Sequence, residues 1–114
     1  MAISEYIRKK IRERDFYCYH CGATEALEVH HRKGRKMGSS KLLDRLDNLI
    51  LVCSKYNFEM EADANVAAEA REFGHKLASW EDFSSPVFDA PHLTWYKLSE
   101  DGSKVETQPP SYLI

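Results

Sequence analysis

Within forty positions the chain carries Cys18-x-x-Cys21, the pair His30-His31, Asn48, Cys53 and Asn57. These residue types can do chemistry: thiolates hold zinc, a neutral imidazole can accept a proton near physiological pH, and an amide oxygen is a hard donor suited to Mg²⁺ or Mn²⁺. Each fragment alone has an ordinary explanation. A lone Cys-x-x-Cys can be a redox pair, adjacent histidines can sit on a surface strand, and an Asn before a strand is usually a turn residue. The joint order and spacing carry the information.

The elements that must position these residues follow from periodicity. Ile3, Ile7 and Ile11 recur every four residues among Arg8, Lys9, Arg12 and Arg14, the pattern of a basic amphipathic helix. Leu27 to His31 alternates as a short strand, Arg32 to Lys41 reads as a Gly-rich basic loop, and Leu42 to Asp47 as a single helical turn. Asn48 to Cys53 is apolar and β-prone, the natural antiparallel partner of the first strand. Phe58, Ala62, Val66, Ala70 and Phe73 then fall on one face of a single helix that Gly74 would stop. Further on, His92 to Leu98 is expected to pair with Lys104 to Thr107. Trp80, Phe83, Trp95 and Tyr96 read as core, or as a partner or dimer surface, and His75 and His92 as ordinary surface or core histidines.

Arg14-Asp-Phe-Tyr-Cys18-Tyr-His-Cys21-Gly22, Glu28-Val-His30-His31-Arg32, Leu46-Asp-Asn48-Leu-Ile-Leu-Val-Cys53 and Tyr56-Asn57 together resemble the HNH nuclease family, of the His-Me finger (ββα-metal) group. The resemblance covers roughly residues 8 to 73. It implies an α+β fold, a small ββα-metal core over residues 1–75 with a basic N-terminal helix. Residues 76–114 would form an irregular or β-hairpin extension packed on that core, with a flexible end. It implies that His31 is the general base, that Asn48 shapes the loop and orients the base, and that His30 and Asn57 hold the catalytic ion, Mg²⁺ or Mn²⁺. Asn57 stands where the signature usually has His, which makes this the HNN form. Cys18, Cys21 and Cys53 correspond to a structural zinc ribbon whose fourth thiolate is replaced by Tyr56, with His20 an awkward substitute.

Independently of any family, adjacent strand residues point to opposite faces, so His30 and His31 serving one site implies a twist or bulge at the strand end. Glu61, one helical turn after Asn57, is a further candidate ligand. Arg32, Lys33, Arg35 and Lys36 in the basic loop, with Arg12 on the first helix, are expected to contact nucleic-acid phosphates.

Composition bounds these readings. The 114 residues, 43% hydrophobic and 30% charged, suffice for one modest core and exclude a multidomain enzyme. The net charge of −2 conceals +5 over residues 1–41 and −7 over residues 42–114, so the first third suits a polyanion. The longest apolar run, Leu49 to Val52, is too short to span a membrane, and Arg8, Lys9 and Lys10 occupy the place of a signal-peptide h-region. Together with the odd number of cysteines, this reads as a cytoplasmic protein. The expectation is a metal-dependent DNA endonuclease. Its rivals are a non-cleaving HNH-shaped module that binds nucleic acid or protein, and a cysteine-based redox or zinc-sensing protein. The resemblance leaves open phage packaging, homing and restriction settings, a homodimer, and a phage protein partner.

Overall fold

The structure, a computed structural model, describes residues 3–34 and 41–111. Among them the chain is α+β, with three α-helices and two small antiparallel sheets. Helix α1 spans Glu5–Asp15: the Ser4 hydroxyl accepts from the Ile7 N–H at its start, and Phe16, in the left-handed region at φ 67°, closes its end. Ile3 and Ile11 are buried from this segment, as the four-residue period predicts, against Leu49 and Leu51.

Strands β1 (Leu27–His31) and β2 (Leu49–Cys53) pair antiparallel, from Leu27 opposite Cys53 to His31 opposite Leu49. β2 is buried on both faces. Leu49 and Leu51 meet the α1 segment, while Ile50 and Val52 join Tyr56, Met60, Ala70, Val87 and Leu98. This double burial explains its uninterrupted apolar run. The bulge expected beside the histidines is not there, since all five pairs of the ladder are in register.

The single helix expected after β2 is two helices, α2 (Ser54–Ala62) and α3 (Ala64–Glu72), broken at Asp63. The Asp63 backbone is extended, and its carboxylate accepts from the N–H groups of Asn65 and Val66 at 2.8 and 3.4 Å. A side chain that can bond the backbone two and three residues ahead favours a new helix start over continuation. The expected apolar stripe is redistributed accordingly. Phe58 is 72% exposed and Ala62 is exposed, while Tyr56, Met60 and Ala70 fill the core. Gly74 does end α3, with φ +73°; a Cβ there would lie 2.1 Å from the Pro86 carbonyl oxygen.

The C-terminal residues form a second sheet, β3 (Val87–Asp89), β4 (Thr94–Leu98) and β5 (Lys104–Glu106), in that order. The expected hairpin is the β4–β5 pair. Val87 and Leu98 belong to the same apolar cluster as β2 and α2. Trp80, expected in the core, is 86% exposed. The flexible end expected of the extension falls on residues 112–114, outside the described residues. Among the described residues, no helix is long and apolar enough to cross a membrane.

Candidate active site

A pocket of about 240 Å³ opens where β1 ends beside α2, lined by Val29, His30, His31, Gly34, Asn57, Glu61 and Lys76. His30 and Asn57, from opposite elements, meet there, and so does Glu61. His31 reaches the same pocket without a bulge because it is the last residue of β1, where the chain leaves the sheet.

His30 is buried, and its Nε2 lies 2.9 Å from the carbonyl oxygen of His75. A carbonyl only accepts, so Nε2 carries the proton and Nδ1 the lone pair. Burial pushes the His30 imidazole down to about 4, the His75 carbonyl opposing this and the charges of Lys76 and His31 adding to it. Asn57 sits at its side. The Asn57 amide nitrogen donates to Glu28 Oε1 at 2.6 Å, which leaves its oxygen as the other polar atom of the amide. The His30 imidazole, the Asn57 amide and the Glu61 carboxylate thus line one pocket, with Glu28 bonded to Asn57; nitrogen and oxygen donors of this kind are ones that divalent ions use.

On the other side of the strand end, His31 Nε2 lies 2.7 Å from Asp44 Oδ1. The carboxylate accepts a hydrogen bond from Nε2–H, which places the imidazole lone pair on Nδ1. Asn48, fully buried, fixes the frame around this pair. Its Oδ1 accepts from Lys33 N–H at 2.7 Å, and its Nδ2 donates to the carbonyls of Lys33 and Leu43 at 3.2 and 2.9 Å. It thus ties the exit of β1 to the turn that carries Asp44.

His75 supports the site from behind. Its Nε2 donates to the Phe88 carbonyl at 2.7 Å, and its Nδ1 accepts from the Tyr56 hydroxyl at 2.7 Å. Burial pushes His75 down to about 3, so it is neutral in the fold. Asp44, His75, Glu28 and Lys76 were not singled out from the sequence as parts of a site. Glu28 lies within the Glu28-Val-His30-His31 stretch without a role of its own there, and the roles of Asp44, His75 and Lys76 arise from contacts between distant segments.

The expected phosphate contacts divide. Arg32 is withdrawn from any such role: it is 1% exposed, and its guanidinium donates to the carbonyls of Gly74, Asp47, Phe83, Ser85 and Pro86 at 2.6 to 3.2 Å. Arg32 is a strut between β1 and the 74–86 segment. Lys33 places its ammonium 4.3 Å from the Phe83 ring centroid, and Arg12 is half exposed with Glu5 at 3.6 Å. Arg35 and Lys36 lie outside the described residues.

The thiol sulfurs of Cys18, Cys21 and Cys53 lie within 4.8 Å of one another and can hold a metal ion such as zinc. Burial pushes the Cys18 thiol up to about 11, whereas Cys21 is lowered: a small burial effect is outweighed by the Ala23 N–H and the two neighbouring thiols. The backbone N–H groups of His20 and Tyr56 donate to the sulfurs of Cys18 and Cys53. Tyr56, where the resemblance would place a fourth thiolate, is committed to the core through His75. His20 stacks flat on the Tyr56 ring, centroids 4.0 Å apart, with its Nε2 3.5 Å from Glu69. Among the described residues the site therefore has three thiol donors.

Comparison of the chain with protein-family models, with curated proteins and with solved structures finds no match.

Proposed function

We propose that the protein is a metal-dependent DNA endonuclease of the HNH type, in its HNN form, built on a ββα-metal core formed by β1, β2 and α2. The observation that carries this reading is the convergence of His30, His31 and Asn57 on one pocket, with His31 held by Asp44 and the loop around it held by Asn48.

In this reading His31 Nδ1 takes a proton from a water molecule, whose oxygen forms the new bond to phosphorus as the bond to the 3′-oxygen breaks. The leaving oxygen ends as a 3′-hydroxyl after taking a proton from solvent, and the other product carries a 5′-phosphate. His30 Nδ1 and the Asn57 oxygen would hold the divalent ion, with Glu61 or Glu28 able to add a carboxylate. When bound, Mg²⁺ or Mn²⁺ supplies positive charge for the developing negative charge on the leaving oxygen. Asp44 keeps His31 in the tautomer with its lone pair on Nδ1, the role a carboxylate plays toward a catalytic histidine in general. The basic α1 and Lys33 supply backbone attraction, and a structural zinc at Cys18, Cys21 and Cys53 would fasten the turn before β1 to the start of α2.

Nicking of supercoiled plasmid by purified protein tests the reading. Cleavage should need Mg²⁺ or Mn²⁺ and should fall by at least ~10²-fold in His31→Ala, the scale of general-base loss. A His31→Ala protein that nicks at the wild-type rate would remove His31 from the chemistry.

A further inference from the structure

We propose that Lys76 is the cation that receives the scissile phosphate in this pocket, an inference that rests on the nuclease reading. Lys76 is the one Lys or Arg among the described residues lining the pocket, where it stands with His30, His31 and Asn57. Arg32, the basic residue next to the histidines in sequence, is turned into the interior, its guanidinium bonded to carbonyls of the 74–86 segment and Asp47. Among the described residues lining the pocket, the other charged side chain is the carboxylate of Glu61.

The backbone aims Lys76 at the pocket. Its N–H donates to the Ala70 carbonyl at 3.2 Å, beyond the end of α3. The preceding residue, His75, is buried and offers its carbonyl to His30. The following residue, Leu77, is also buried and donates its N–H to the Arg32 carbonyl at 2.7 Å. With both neighbours fixed to residues of β1 or its exit, the lysine stem is held along the pocket wall, and its side chain is 22% exposed.

The ammonium has a weak partner that a phosphate can displace. Lys76 Nζ lies 3.5 Å from Glu61 Oε1, and the Glu61 side chain is 73% exposed. A solvent-screened pair of this kind is worth little. A phosphate oxygen placed between the histidines and Asn57 offers a stronger, less solvated counter-charge, which lysine meets as a mobile point charge on a flexible stem. Because negative charge accumulates on the phosphoryl oxygens as the nucleophile adds, the lysine acts on the transition state more than on ground-state binding.

The test is steady-state cleavage of a duplex in Mn²⁺ by the full chain, comparing wild type with Lys76→Ala, Lys76→Gln and Lys76→Arg, each checked by thermal melting. Lys76→Ala and Lys76→Gln should lower kcat by about 10²-fold, the effect of losing one oxyanion-stabilising group, with KM altered by only a few-fold. Lys76→Arg should recover most of kcat. In Ca²⁺ without cleavage, Lys76→Ala should reduce the slope of log affinity against log salt by about one phosphate contact. Wild-type kcat in Lys76→Ala or Lys76→Gln, or no recovery in Lys76→Arg, overturns the inference and leaves the nuclease reading intact. A wild-type protein that cleaves in no metal refutes the nuclease reading itself and the inference with it.

Discussion

Replacing Arg32 by alanine should cost the protein much of its stability and leave the salt dependence of the proposed DNA binding unchanged. The guanidinium makes five hydrogen bonds to carbonyls of Gly74, Asp47, Phe83, Ser85 and Pro86, and it holds the segment that carries Gly74 and Pro86 against β1. Burial lowers its affinity for a proton, to about 10, but leaves it cationic at neutral pH. Truncation would strand five acceptors and open a cavity, for a loss of about 3–5 kcal/mol by the usual cost of breaking a buried charged network. Small domains have about 5–15 kcal/mol in total, so the melting temperature should fall on the order of 10–20 °C. Arg32→Lys, with one amine in place of the planar fork, should fall between the two. The assay is thermal and urea unfolding by circular dichroism, followed by DNA binding across a salt series at a temperature where the variant is folded. An Arg32→Ala protein that melts with wild type but loses one phosphate's worth of salt dependence would show that Arg32 points outward.

Three other outcomes follow from buried or tethered groups. His30 and His75 are held neutral by burial, down to about 4 and about 3 against an ordinary 6.5, so between pH 6.5 and about 4 the unfolded chain binds protons that the folded chain refuses; stability should drop as pH falls through that window. The slope should be on the order of 1 kcal/mol per histidine per pH unit, and equal urea midpoints at pH 7 and pH 5 would contradict it. Tyr56→Cys adds the missing thiolate but deletes a buried ring and the hydroxyl that satisfies His75, so with metal chelated it should melt below wild type, although zinc should bind more tightly. A chelated variant that melts at or above wild type would mean that the phenol contributes nothing to the core. Asp44→Asn should lower kcat at least ~10-fold with the fold retained, because the amide can offer an N–H where the histidine needs an acceptor, and unaltered kcat would end the positioning role of Asp44.

The β1–β2 pair and the apolar face of α1 were legible in the sequence, because a period of four in Ile3, Ile7 and Ile11 and the run Leu49 to Val52 are local signals of burial. The meeting of His30 with Asn57, and of Cys18, Cys21 and Cys53, is what the family resemblance implies. What failed depends on contacts between distant segments. Arg32 follows two histidines in a basic stretch, and nothing nearby reveals that residues 74–86 close over it. Lys76 and His75 enter the site only because α3 ends at Gly74 and turns the chain back toward β1. The break at Asp63 was a local cap signal hidden within a longer apolar periodicity, and there the cap prevails.

The central claim is that His30 and Asn57 hold the ion that His31 works beside, and plasmid nicking across a metal series by wild type and Asn57→Ala tests it most directly. Wild type should nick with Mg²⁺ or Mn²⁺, poorly with Zn²⁺ and not in chelator, whereas Asn57→Ala, correctly folded, should be inactive in every metal. An Asn57→Ala protein that cleaves as well as wild type would contradict the account, and a binding module without cleavage at this pocket would then describe the protein better.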